Sequence, residues 1–126
     1  MKTEKELNQI TEKIIGCAIE IHRELGPGLL ESIYESVLCI EFSSIGLGSE
    51  RQKTLPVIYK NKSIGNFRMD LIVDGSVVLE LKSVERYDPI FEAQLLSYMK
   101  PGKYRLGLLI NFNSRLLKDR IKRFIL

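Results

Sequence analysis

Residues 67–83 read FRMDLIVDGSVVLELKS, two short β-branched and apolar runs on either side of Asp74-Gly75-Ser76. Such runs around a glycine-containing turn predict a β-hairpin. Side chains alternate faces along a strand, so a slip of one residue would exchange every one of them. A three-residue loop with a glycine-assisted bulge pairs Val73 with Val77 and, three steps further, Asp70 with Glu80. Lys82 then shares the face of Glu80, while Val77, Leu79 and Leu81 join Phe67, Met69, Leu71 and Val73 on an apolar face; Arg68, Asp70 and Ile72 take the other side. A two-residue turn would set Asp70 opposite Leu79 and send Glu80 to the face of Met69. That register mixes charge into the core and is rejected.

Two opposed carboxylates repel unless something cationic lies between them. Lys82 compensates in part, and a divalent cation would do so better. Asp, Glu, a backbone carbonyl and waters form the incomplete oxygen shell that Mg²⁺ takes when substrate phosphate supplies the rest. Taken alone, D-x9-E-x-K is a weak pattern and more often an ordinary ion pair on a solvated hairpin. Its setting strengthens it, because Glu80 and Lys82 interrupt the apolar strand VVLELK and need a reason to be there.

Outward from the hairpin, apolar residues from Leu7 to Leu25 recur at steps of three and four behind a Thr3–Glu6 capping box, predicting a long helix stopped by Gly26-Pro27-Gly28. A second helix follows, with Leu30, Ile33, Tyr34, Val37, Leu38, Phe42 and Ile45 as its apolar side, until Gly46 and Gly48. Further strands are expected at Leu55–Tyr59 and Leu106–Phe112, beside Ile64–Val73 and Val77–Val84 from the hairpin. Asp88-Pro89 opens a helix through IFEAQLLSYM. Ser114 is expected to cap a last helix with Leu117, Ile121 and Phe124 inward. The order is α-α-β-β-β-α-β-α, an α/β (α+β) fold with a mixed four-stranded sheet flanked by helices.

The 126 residues, 44% hydrophobic and 28% charged, suit one domain over residues 1–126. The net charge of +3 is concentrated: Arg115, Lys118, Arg120, Lys122 and Arg123 against Asp119 leave residues 1–114 slightly acidic. Arg115, Lys118 and Lys122 would share the polar face of the last helix, suited to phosphate contact, although a solvated face is the commoner outcome. One His and two Cys exclude a structural zinc site of the usual kind and leave carboxylates as the only plausible ligands, which points to a hard cation if there is a metal at all. No apolar run nears the ~20 residues of a membrane span, and the opening residues MKTEKELNQ lack the hydrophobic stretch expected of a signal peptide. Cys17 and Cys39 fall in helical patterns and read as reduced, so a cytoplasmic protein that does not meet the membrane is expected.

In this arrangement Asp70 and Glu80-Leu81-Lys82, on a hairpin with helices before and after it, resemble the PD-(D/E)XK nuclease superfamily and its restriction-endonuclease-like core. Gly28-Leu29-Leu30-Glu31-Ser32-Ile33-Tyr34 looks like the signature of the GxxExxY family, small stand-alone members of that superfamily. IHRELGPGLLESIY, FRMDL, LELKS, EAQLLSYM and LGLLINF follow in order. The resemblance implies a Mg²⁺-dependent nuclease, with Mn²⁺ a substitute, that hydrolyses DNA or RNA through a metal-activated water. Asp70, Glu80, the Leu81 carbonyl and Glu31 would hold the cation and Lys82 would position the water. Gln94 and Tyr98 match the Q-x3-Y element of the RecB-like branch and, as i and i+4, share a helix face. Met69 stands where the superfamily name has proline, a position that is not catalytic.

Several of these residues also have plainer roles. Glu31 suits a helix start through the macrodipole, Tyr34 reads as a core aromatic, and His22 as a hydrogen-bonded helix-end residue. The rival function is a non-catalytic nucleic-acid-binding or regulatory module on the same scaffold. A third reading is a domain that works only inside a homo-oligomer or with a partner protein, because one small unit offers limited surface to grip a duplex.

Overall fold

The computed structural model describes residues 1–126. Helix α1 (Glu4–Leu25) opens on the expected capping box, with the Glu6 N–H donating to Thr3 Oγ1 and the Thr3 N–H to the Glu6 carboxylate, both at 3.1 Å. Gly26 ends it in a left-handed φ of 76° that a side chain would strain. Helix α2 (Glu31–Ser44) buries Tyr34, Leu38 and Phe42, but Leu30, Ile33 and Ile45 from the expected apolar side stay exposed.

Five strands follow: β1 (Ser49–Tyr59), β2 (Lys62–Val73), β3 (Val77–Lys82), β4 (Leu106–Asn111) and β5 (Ile121–Ile125). They lie in that spatial order in one sheet. Helix α3 (Ile90–Gly102) carries the chain from β3 to the parallel β4, and every other pairing is antiparallel. Asp88 Oδ1 accepts the Ile90 N–H at 3.0 Å at the start of α3, as an Asp-Pro opening requires. Helices α1 and α2 cover one sheet face over Leu71, Val73, Leu79, Leu81 and Ile110. Helix α3 covers the other over Met69, Ile72, Val78 and Leu109. Strands β3 and β4 are thus buried on both sides, which is why they read as largely apolar runs and why Glu80 is conspicuous.

The C-terminus departs from expectation. Leu117–Arg120 forms one 3₁₀ turn, and the residues expected to continue a helix pair with β4 as β5, so the sheet has five strands and not four. All six residues of β4 are buried. Its backbone groups on the side away from β3 would be stranded without a partner, and a fifth strand supplies one. Leu117, Ile121 and Phe124 span too few residues for their spacing to separate the two outcomes. Arg115, Lys118 and Lys122 consequently share no helix face.

A second departure lies within β2. Leu71 and Val73 face α1 and α2, but Met69 packs beneath α3, and Phe67 meets the Tyr98 ring at 5.0 Å. The face expected to hold all four is divided at Asp70. Across from Asp70 stands Gln52, at a left-handed φ of 51°, and the β1–β2 ladder steps from Arg51–Leu71 to Lys53–Met69 without pairing these two. Both strands turn over together there.

Candidate active site

The hairpin register is the one read from its turn: Val73 pairs with Val77, Ile72 with Val78 and Leu71 with Leu79. Backbone pairing stops there, and side chains continue it. The Leu81 N–H donates to Asp70 Oδ2 at 2.8 Å, and the Asp70 N–H donates to Glu80 Oε1 at 3.1 Å. The two acids are laced across the gap between β2 and β3. Glu80 alternates with Leu79 and Leu81 and so turns toward α3, whereas Asp70, at the point where β2 changes faces, borders a cleft beside α2.

Burial here is costly for charge. Glu80 is only 7% exposed, and burial first, then the charge of Asp70, pushes its carboxyl up to about 8. Asp70 is raised as well, chiefly by burial, against the lowering effect of the Leu81 N–H. At neutral pH the pair therefore keeps a proton that two solvated acids would have lost. Lys82 lowers both carboxyls through space, yet no ion pair in the chain includes it. Its ammonium lies instead 4.5 Å from the centre of the Phe91 ring.

Glu31, the first residue of α2, accepts the Ser83 N–H at 3.3 Å. It is put there by the corner before it. The Tyr34 hydroxyl donates to the Gly26 carbonyl at 2.6 Å and accepts the Leu29 N–H at 3.2 Å, while its ring stacks on Phe112 at 4.1 Å. Gly28, at φ 91°, allows the turn. Gly28 and Tyr34 of the GLLESIY run are thus the supports of its glutamate.

Glu31, Asp70 and Leu81 line one cleft of about 250 Å³ with Ser32, Glu35 and Gln52. The sequence reading gave Glu35 no role. It is buried, taking both Arg51 Nε and Nη2 on Oε2 (3.0 and 2.8 Å) and Gln52 Nε2 on Oε1 (2.6 Å). One signal pointed to it: Glu35 follows Glu31 by four residues and so lies on the same helix face. Tyr98 is half-buried near the acids, its hydroxyl pushed up by burial and then by Glu80 and Asp70. Gln94, one turn earlier, is exposed, with no side-chain partner among the hydrogen bonds. His22 is buried elsewhere, its Nε2 2.6 Å from the Ser114 carbonyl, the helix-end role expected of it.

No three His, Cys, Asp or Glu side chains converge as a ready-made cage. The nearest donors are all oxygens, from the carboxylates of Glu31, Asp70 and Glu80, which are incompletely neutralised and each accept a single backbone N–H. That donor chemistry fits a hard divalent cation and does not fit zinc or copper.

No curated protein and no solved structure matches the chain. A family model described as the PD-(D/E)XK nuclease superfamily matches residues 8–124, from α1 through the acids of β2 and β3 into β5. With that match over nearly its whole length, and with the mixed sheet carrying Asp70, Glu80 and Lys82 on adjoining strands, the chain belongs to the PD-(D/E)XK nuclease superfamily.

Proposed function

We propose that the protein is a Mg²⁺-dependent phosphodiesterase that cleaves DNA, or RNA, by attack of water on a backbone phosphate. The observation carrying this reading is the pair of half-buried Asp70 and buried Glu80, laced across the gap in the hairpin ladder with a lysine two residues on and a small acidic cleft alongside. Asp70, Glu80, Glu31 and the Leu81 carbonyl would hold Mg²⁺, or Mn²⁺ in its place. When bound, such a cation lowers the pKa of water and offsets charge on phosphate. Lys82 then orients the water through its N–H donors or neutralises charge gathering on the phosphate oxygens. Tyr98 braces the wall beside Glu80, and Gln94, exposed on the same side of α3, is free to meet substrate. The GLLESIY corner supports placing the chain with GxxExxY-type members, and Gln94 with Tyr98 supports the RecB-like branch.

Incubating the purified chain with Mg²⁺ or Mn²⁺ and single- or double-stranded DNA or RNA tests this directly. Cleavage should require metal and vanish in Asp70→Asn, Glu80→Gln and Lys82→Met. Salt-sensitive binding without turnover under every metal tried would instead establish the non-catalytic module.

A further inference from the structure

Lys82 is flexible, charged and on the same side of β3 as Glu80, so electrostatics alone would draw it onto the acidic pair. It forms no ion pair there. Its Nζ rests 4.5 Å from the centre of the half-buried Phe91 ring, on the first turn of α3. A ring face attracts an ammonium through its quadrupole while leaving the N–H groups free to turn elsewhere.

Phe91 is itself held in place. Tyr87 meets it edge-on at 5.7 Å and 86°. The Tyr87 hydroxyl donates to the Glu92 carboxylate at 2.6 Å. Lys122 of β5 donates to the same carboxylate at 2.9 Å and lies 4.4 Å over the Tyr87 ring. A clamp thus runs from the last strand to the ring under Lys82.

We propose that Phe91 is a positioning residue whose ring face keeps the Lys82 ammonium off Asp70 and Glu80, leaving their oxygens open to a divalent cation and the ammonium beside the place where water would be held. An ion pair would occupy the very lone pairs that the cation needs. The purpose assigned to the contact rests on the nuclease reading; the contact itself does not.

Two measurements test this, neither of them requiring turnover. In metal-free protein, ring current should move the Lys82 ε-CH₂ NMR signals upfield, an effect kept in Phe91→Tyr and lost in Phe91→Leu. Ordinary lysine shifts in the unsubstituted chain would overturn the proposal. In calorimetry with Mn²⁺, Phe91→Leu should weaken binding roughly three- to thirty-fold, Phe91→Tyr should restore it, and Phe91→Leu with Lys82→Met should regain it because no ammonium remains to collapse onto the acids. A defect that persists in the double variant would assign Phe91 to packing alone and overturn the proposal. An unsubstituted chain that binds no divalent cation would sink the nuclease reading and the purpose given to Phe91, while the upfield signals would show that the contact stands without it.

Discussion

Replacing Glu80 by glutamine should make the metal-free protein more stable, and only at the alkaline end of its range. Folding raises the Glu80 carboxyl from the ordinary 4.5 to about 8, through burial and then through Asp70. The folded state thus holds this proton more tightly than the unfolded chain does. Stability from that preference is complete below about pH 4.5 and is lost as pH rises toward 8. At 1.36 kcal/mol per unit the span sets a ceiling of about 5 kcal/mol. Sharing of the proton with Asp70 and relaxation around the pair bring the expected loss to roughly 2–3 kcal/mol. Glutamine is nearly isosteric, keeps an oxygen for the Asp70 N–H, and can donate to the Asp70 carboxylate from its amide. Thermal unfolding in a chelator should therefore show Glu80→Gln above the unsubstituted chain at pH 8 by roughly 6–12 °C, with little difference at pH 5. The same gain at both pH values, or a loss at pH 8, would refute the claim that Glu80 is strained by its charge. Mn²⁺ should reverse the order at pH 8 by stabilising only the chain that retains the carboxylate.

Asp70 answers to a different rule, because it accepts the Leu81 N–H. Asp70→Asn should keep the fold near its original stability, whereas Asp70→Ala strands that donor and should cost about 1–3 kcal/mol in urea unfolding. Tyr34→Phe removes the hydroxyl joining Gly26 to Leu29 and should cost about 1–2 kcal/mol by the same measurement, with Mn²⁺ affinity falling as Glu31 loses its support. Gly28→Ala forces a side chain into φ 91° and should cost about 1–3 kcal/mol, with unchanged stability arguing against this corner geometry. Hydrogen exchange should protect amides along 121–125 in alternation, as one-sided pairing with β4 requires; contiguous protection from 115 onward would restore a helix there.

What could be read from the chain alone was whatever neighbouring residues decide among themselves. The Thr3–Glu6 cap, the glycine stop after Leu25, and the pairing of Val73 with Val77 through Asp74-Gly75-Ser76 all follow from groups a few positions apart. That register by itself brings Asp70 beside Glu80. Packing decided the rest. The last residues became a strand because β4, buried end to end, needed hydrogen-bond partners, a demand absent from the segment 115–125 itself. Nothing on its own helix assigned Glu35 a role, yet Arg51 and Gln52 arrive from β1 to bury it. Lys82 shares the face of Glu80 in the pattern, but the ring that takes its ammonium stands on a helix nine residues later. A carboxylate's charge state and a lysine's resting place depend on which distant groups displace water around them, and that is settled only when the layers close.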